Sequence, residues 1–155
     1  MTGEERERQL RDCGFPFELL ENRVRIRSAS EGAAYWGIEL GATAPALVLR
    51  AQGGFWLLLV SGAIRKVDFA ALGRETGEEG LRLATSAEIL ERFGLKPGEV
   101  PLFGLGLPTL VDRKLLAYEF VYGGSGDPFR TLKIAPEALL VLNEESRLID
   151  VPAMP

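Results

Sequence analysis

Apolar residues fall in short runs along the chain, and turn residues separate one run from the next. Two such runs, residues 46–50 and 55–60, lie on either side of a turn that contains Gly53 and Gly54. Short apolar runs bounded by turn residues are typical of buried strands, so these two predict a β-hairpin. Residues 23–27 alternate strictly between arginine and an apolar residue, which predicts a strand with one apolar face. Further strands are predicted at residues 81–83, 119–122 and 130–134.

Capping residues mark where the predicted helices begin. Thr2 and Glu5 have the spacing of a capping box, and they predict a helix that ends near Cys13. A second helix is predicted to start after Ser28 and to end at about Trp36. Three more helices are predicted to begin after Asp68, after Thr85 and at Pro136. At the Thr85 helix, Glu88 completes a capping box and Gly94 is predicted to end the helix.

These elements mix without the regular spacing of strand–helix–strand units, and the chain contains no repeat or linker. The length of 155 residues fits one domain. We therefore predict a single α+β domain over residues 1–155, with a mixed β-sheet and flanking helices. Two glycine-rich loops, residues 96–108 and 123–128, interrupt the elements, and the first is long enough to be a functional candidate.

Composition and charge exclude many kinds of site. The absence of histidine excludes Ser-His-Asp and Cys-His catalysis and histidine-ligated metals, and the single cysteine excludes an internal disulfide. No carboxylate pair has a spacing that singles it out, so we predict neither a metal nor a cofactor. A net charge of −4 means that any nucleic-acid contact must come from a local patch. No export signal and no membrane span is predicted, which makes the cytoplasm the expected location.

Three features of the chain are candidates for binding. The glycine-rich loops lack the lysine of a phosphate-binding loop and the setting of a dinucleotide site, so they are either close-approach surfaces for a ligand or simply tight turns. Arg23, Arg25 and Arg27 are either a phosphate-binding stripe or a solvated strand face. Tyr35 and Trp36, on the second predicted helix, are expected in the core.

The order of the segments resembles the YbaK/ProX family of aminoacyl-tRNA deacylases, which are related to the editing domain of bacterial prolyl-tRNA synthetases. The resemblance extends from Phe15 to Val151. The matching segments are residues 27–31, 46–49, 58–62, 65–69, 84–85, 98–104, 107–112, 124–126 and 135–140.

This resemblance implies a small cytoplasmic α+β domain that hydrolyses the ester of a mischarged tRNA, typically alanine or cysteine on the tRNA for proline. It implies a site made of main-chain donors, one lysine and the terminal hydroxyls of the tRNA. The expected partners are the tRNA acceptor end and, as a candidate, an aminoacyl-tRNA synthetase, with no DNA and no membrane. The positions that correspond to the substrate-binding loops are Gly98, Val100, Pro101, Gly104, Gly124, Ser125 and Gly126. The predicted tRNA contacts are Arg23, Arg25 and Arg27.

The chain departs from the family pattern at the lysine. Pro45 occupies the position of the family's active-site lysine, and it has neither a charge nor an N–H. In the first loop Leu102 stands where the family has proline, and the segment between Gly104 and Leu107 is shorter than in the prolyl-editing members. The residues available to replace the lysine are Lys66, Lys96, Lys114, Lys133, Arg27 and Arg130, and no spacing argument selects among them.

Two functions of different classes remain open. The first is a free-standing, diverged aminoacyl-tRNA deacylase that acts on mischarged tRNA in trans. The second is a non-catalytic module that binds aminoacyl-tRNA or a small aminoacyl-like ligand. Hydrolysis of some other small ester or amide is a third, weaker alternative. A lysine or arginine that reaches the pocket beside Gly98 would favour the enzyme.

Overall fold

The computed structural model describes all 155 residues and shows five α-helices and nine strands. The helices are α1 (Gly3–Asp12), α2 (Ala29–Trp36), α3 (Phe69–Thr76), α4 (Ser86–Phe93) and α5 (Ala138–Leu142). The strands are β1 (Phe17–Glu21), β2 (Thr43–Ala44), β3 (Ala46–Ala51), β4 (Gly54–Leu59), β5 (Arg82–Leu83), β6 (Thr109–Asp112), β7 (Val121–Gly124), β8 (Arg130–Ile134) and β9 (Ser146–Ile149). Leu40–Ala42 and Arg113–Ala117 form short 3-10 helices. None of the helices is long and apolar enough to cross a membrane.

The strands form two mixed sheets. The smaller sheet has the order β1-β8-β7-β2, and only the β2–β7 pair in it is parallel. The larger sheet has the order β5-β3-β4-β6-β9, with β6 parallel to both of its neighbours. Two mixed sheets with helices around them confirm the predicted α+β class.

The chain passes from one sheet to the other at Pro45. Thr43–Ala44 pairs with β7 in the smaller sheet, and Ala46–Ala51 pairs with β4 in the larger one. A residue between two ladders has no ladder bond to donate, which makes this a position where proline is tolerated. The carbonyl oxygen of Pro45 still accepts a hydrogen bond of 3.1 Å from the N–H of Val60.

Strand β4 lies in the middle of the core and is buried on both faces. Leu57 and Leu59 belong to a cluster of 14 buried residues that includes Leu132 and Ile134 of the smaller sheet. Leu58 belongs to a second cluster of 10 residues, on the opposite face of the larger sheet. Because successive side chains of a strand point to opposite faces, a continuous apolar run is what such a central strand requires. The predicted hairpin is therefore confirmed.

The predicted helix starts are confirmed for four helices. The hydroxyl oxygens of Thr2 and Ser28 and the carboxylate of Asp68 each accept an N–H of the first turn of α1, α2 and α3. At α4 the capping box is complete, since Thr85 and Glu88 each accept the main-chain N–H of the other. The last helix starts two residues later than Pro136, at Ala138.

The strand predicted at residues 23–27 is wrong. These residues form a bend and an irregular connection between β1 and α2. β1 pairs with β8 as far as Arg130, and the N–H of Asn22 makes one more bond to the carbonyl oxygen of Phe129. The pairing ends there because Pro128 and Phe129 form the turn that precedes β8. The side chain of Asn22 then bonds the carbonyl oxygens of Val24 and Pro128, at 2.7 and 2.9 Å, and ends the strand. Alternation alone does not make a strand where no partner strand is present.

Candidate functional site

A cavity of about 250 Å³ opens between the smaller sheet, α2 and the first glycine-rich loop. Pro45 lines it from the crossing between the sheets, and Gly98 and Val100 line it from the loop. Gly124 contributes from the end of β7, and Arg130 from the start of β8. The cavity therefore lies where the two glycine-rich loops and the sheet crossing meet.

The loop residues Gly98 and Val100 present unoccupied main-chain donors. Lys96 and Glu99 hold a tight turn, because the N–H of Glu99 donates to the carbonyl oxygen of Lys96 at 3.0 Å and the N–H of Lys96 donates to Glu99 Oε1 at 2.7 Å. Pro97 and Gly98, with φ at 85° for the glycine, occupy the central positions that a type II turn assigns to them. The N–H groups of Gly98 and Val100 donate to no protein acceptor. They are available to a ligand in the cavity.

Gly124 allows the loop to lie directly on β7. A Cβ atom at this position would overlap the carbonyl oxygen of Val100 and would lie 3.5 Å from the Cα of Pro101. The N–H of Leu102 donates to the carbonyl oxygen of Gly124 at 3.0 Å and fastens the two segments together. The two glycine-rich loops are thus in contact at the cavity, and a side chain at Gly124 would separate them.

Two arginines supply positive charge to the cavity, and no lysine lines it. Arg130 is half-buried, and its Nη1 donates to Glu7 Oε1 of α1 at 2.9 Å. Arg27 is exposed at the cavity and takes part in none of the six ion pairs of the structure. The single carboxylate that lines the cavity is Asp127, whose Oδ1 accepts the N–H of Phe129 at 2.9 Å. Of the six basic residues left open by the sequence, Arg27 and Arg130 are the two that the fold brings to the cavity.

One part of the cavity wall is apolar and aromatic. Trp36 and Tyr122 line it, with 6.2 Å between their ring centroids, and Ile26 and Val100 lie nearby in the wall. Trp36 Nε1 is buried and has no hydrogen-bond partner in the protein. Trp36 was expected in the core, and it lies at the cavity instead. Tyr35, which was also expected in the core, is exposed and packs edge-to-face on Trp36, with 4.8 Å between the ring centroids.

Several residues predicted for the site lie outside the cavity. Gly104 and Gly126 both pack against the side chain of Arg6, which enters between the two loops from α1. Ser125 lies beside Gly126, and its hydroxyl donates to the carbonyl oxygen of Arg130 at 2.6 Å. Pro101 is buried behind the loop. None of these four residues lines the cavity.

The predicted tRNA contacts Arg23 and Arg25 do not line the cavity either. Both are exposed on the connection that leads to Arg27. The guanidinium carbon of Arg25 lies 5.2 Å from the centroid of the Phe129 ring. Arg23 donates its main-chain N–H to the hydroxyl oxygen of Tyr35 at 3.0 Å.

Asn22 and Thr131 line the cavity although the sequence did not single them out. Asn22 is 4% exposed, and its Oδ1 accepts a hydrogen bond of 3.0 Å from Thr131 Oγ1. With its bonds to Val24 and Pro128, this amide holds three segments of the wall together. A lone asparagine carries no pattern that sequence reasoning could have used. No group of three or more His, Cys, Asp or Glu side chains is placed to hold a metal ion.

A family model described as the aminoacyl-tRNA editing domain matches residues 24–142. The chain belongs to the aminoacyl-tRNA editing domain family. The match includes the cavity-lining residues from Ile26 to Thr131 and leaves α1 and β1 outside it. The predicted family is thereby confirmed.

The curated relatives of this editing domain include two much longer proteins. This chain is 27% identical to the proline–tRNA ligase of Thermosipho melanesiensis over 134 aligned residues. The aligned residues make up 85% of this chain and 24% of the ligase. This chain is 36% identical to the proline–tRNA ligase of Azoarcus sp. over 110 aligned residues, and these make up 63% of this chain and 19% of that ligase. The editing domain thus spans about a quarter or less of the length of these ligases.

A solved structure of the same length also matches the editing domain. It is that of a candidate trans-editing enzyme for prolyl-tRNA synthetase, with a TM-score of 0.82 and 31% sequence identity. The alignment covers 99% of both chains.

Proposed function

We propose that this protein is a free-standing trans-editing enzyme that hydrolyses the ester of mischarged aminoacyl-tRNA, with the tRNA for proline as its first candidate substrate. The observation that supports the proposal most is the cavity, which is lined by Gly98 and Val100, whose N–H groups have no protein acceptor, and by Arg27 and Arg130. The solved structure that aligns over 99% of both chains is that of a candidate trans-editing enzyme, which supports action on the mischarged tRNA in trans. We further propose that it acts in the cytoplasm, where tRNA is charged, on the acceptor end of the tRNA and alongside an aminoacyl-tRNA synthetase.

The chemistry needs charge stabilisation more than it needs a strong base. Water attacks the carbonyl carbon of the ester, the bond to the ribose oxygen breaks, and the ribose oxygen takes up a proton as the amino acid leaves. Donors aimed at the developing oxyanion supply a large part of such a reaction, and main-chain N–H groups are suited to that role. Gly98 and Val100 would provide them.

The arginines can replace only part of what a lysine does. A guanidinium group stays protonated at any working pH, so Arg27 and Arg130 can stabilise negative charge but cannot shuttle a proton. The proton must then pass through water or through the free terminal hydroxyl of the tRNA itself. Without a side chain that shuttles the proton, we expect slower hydrolysis than in a site with a titratable amine. Hydrolysis of the ester is still possible by the water or hydroxyl route.

The size of the cavity favours a small aminoacyl group. Pockets for drug-sized ligands measure about 300–1,000 Å³, whereas this one measures about 250 Å³. A small amino acid and part of the terminal ribose fit such a space, and the rest of the nucleotide must lie outside it.

A non-catalytic binding module is the second candidate, and Pro45 is the observation that favours it. Pro45 lines the cavity at the position that corresponds to the family's lysine, and its ring offers no charge and no donor. In this alternative the cavity and its donors hold the aminoacyl end without cleaving it.

Deacylation of mischarged tRNA separates the two candidates. The substrates are Ala-, Cys- and Ser-tRNA for proline, and the proteins are the unmodified chain, Pro45→Lys and Pro45→Ala. Pro45→Ala controls for loss of the ring, and all three keep the carbonyl oxygen that accepts from Val60. Turnover by the unmodified chain supports the enzyme. Turnover by Pro45→Lys alone would show a cavity that binds and no longer cuts.

A further inference from the structure

Phe129 presents an exposed aromatic ring on a rigid turn. Its side chain is 44% exposed. Its N–H donates to Asp127 Oδ1 at 2.9 Å, and its carbonyl oxygen accepts from the N–H of Asn22 at 2.9 Å. The main chain of Phe129 is therefore fixed, and an aromatic side chain has few rotatable bonds, so little conformational freedom is lost when a ligand packs on the ring.

An arginine that forms no ion pair lies against this ring, and a second one is close to it along the chain. The guanidinium of Arg25 lies 5.2 Å from the ring centroid. Arg23, two residues before Arg25 in the chain, is exposed. Neither arginine takes part in an ion pair of the structure, although the chain as a whole carries a net charge of −4. Asp127 is the adjacent acid, and its Oδ1 is already engaged by the N–H of Phe129. The surface combines an aromatic face with cations that lack counterions.

This surface adjoins the mouth of the cavity. Pro128 and Arg130, the two chain neighbours of Phe129, both line the cavity. Arg27, two residues beyond Arg25, lines it as well. A chain of nucleotides that enters the cavity by its 3′ end would therefore leave it close to Phe129.

We propose that Phe129 and Arg25 form a stacking site for an unpaired base of the RNA 3′ end, with Arg23 and Arg25 meeting the adjoining phosphates. The inference rests on the proposed function, because it takes the terminal nucleotide to be delivered to the cavity. Bases stack on aromatic side chains whatever their identity, and arginine adds a cation–π contribution. The site thus holds the single-stranded end without reading its sequence.

The test is the binding of a 5′-fluorescein-labelled ACCA tetranucleotide with a free 3′ hydroxyl, followed by fluorescence anisotropy. Phe129→Leu keeps an apolar side chain and removes the aromatic face, and we expect it to weaken binding about tenfold. Phe129→Tyr keeps the face and retains the affinity of the unmodified protein. Arg25→Gln lowers the slope of log K against log salt by about 0.7, the value for one phosphate contact on a single strand.

Arg92→Gln is the matched control. Arg92 also lies over a phenylalanine, 5.1 Å from the centroid of the Phe93 ring, and also forms no ion pair, but it belongs to α4 away from the cavity. Its substitution leaves the affinity and the salt slope unchanged. Equal losses in Arg25→Gln and Arg92→Gln would mean a general charge effect and would overturn the stacking site.

Ala-tRNA hydrolysis, measured on the same proteins, separates failure of the stacking site from failure of the proposed function. If the unmodified protein hydrolyses the ester but does not bind ACCA, or binds it as well after Phe129→Leu, the stacking site is wrong and the enzyme stands. If no hydrolysis occurs but Phe129-dependent binding of ACCA is present, the stacking site stands and the enzyme is wrong.

Discussion

Arg130 Nη1 at the cavity wall donates a hydrogen bond of 2.9 Å to Glu7 Oε1, which ties the cavity to the N-terminal helix α1. Arg6, the preceding residue of that helix, packs against Gly104 and Gly126, one residue in each glycine-rich loop. α1 lies outside the residues that the family model matches. Even so, it supports the site by holding one of its two arginines and by bracing both loops.

Glu7→Gln tests whether this contact positions Arg130. Both side chains are more than a third exposed, so the pair contributes only about 0.2–1 kcal/mol to the free energy of unfolding. We expect an almost unchanged melting temperature and a fall in kcat/KM for deacylation of about two- to fivefold. Glu18→Gln is the control, because Glu18 pairs with Lys133, which does not line the cavity. Equal activity in both variants would show that Arg130 needs no help from α1.

Arg6 gives a prediction about stability. Burial lowers the pKa of Arg6, and its Nε is buried with no hydrogen-bond partner. Arg6 as a whole is half-buried and forms no ion pair. Replacing a partly buried charge that has no acidic partner by an apolar group of similar length is often neutral or stabilising. We therefore expect the free energy of unfolding in urea to stay equal or rise in Arg6→Met, and to fall in Arg6→Ala, which also loses the packing of the stem. A clear loss of stability in Arg6→Met would contradict this interpretation.

Gly124→Ala tests the contact between the two loops. The new methyl group would overlap the carbonyl oxygen of Val100, so the loop that carries Gly98 must move away from β7. We expect a melting temperature several degrees lower and a loss of deacylation or of aminoacyl-tRNA binding. Gly53→Ala is the matched control, because a Cβ at that hairpin turn meets nothing within 4 Å. The same activity in Gly124→Ala as in Gly53→Ala would show that the position of the loop does not matter.

Glu88 gives a prediction about pH. Its side-chain hydrogen bonds with Arg82, followed by the bond from the N–H of Thr85, lower the pKa of Glu88 from 4.5 to about 2. The folded state therefore favours the ionised carboxylate, whose contribution to stability is present above pH 4.5 and is lost as the pH falls towards 2. Urea unfolding of Glu88→Gln should show a deficit at pH 7 that shrinks over this interval. Glu91→Gln is the matched control, because it removes an exposed carboxylate from the same helix and leaves the pair of Arg82 and Glu88 in place.

Local signals in the sequence were sufficient for the helices and insufficient for several strands. The capping box of Thr85 and Glu88 lies within four residues, so the start of α4 at this point depends on no distant contact. No strand was predicted at β6 or at β9. They become strands because β6 pairs in parallel with β4, and β9 pairs in parallel with β6, across long stretches of chain. No local pattern records such pairing, because the partner is chosen by the tertiary fold.

The candidate site was predictable to the extent that the family pattern covered it. Gly98, Val100 and Gly124 follow from that pattern, and all three line the cavity. Arg130 was one of six possible replacements for the lysine, and only the fold shows that it reaches the same space. Trp36 was placed in the core because an aromatic residue on a short helix usually packs inside, and here its side chain lies at a cavity beside Tyr122 of β7.

The rate of alanine release from Ala-tRNA for proline, with the protein in excess over the tRNA, tests the central claim most directly. We expect the unmodified protein to release alanine faster than buffer alone does. We also expect the doubly substituted Arg27→Gln, Arg130→Gln protein to lose about tenfold or more of that rate, because it lacks both cations of the cavity. A rate equal to that of buffer with the unmodified protein, together with release by Pro45→Lys, would contradict the claim and leave a cavity that only binds.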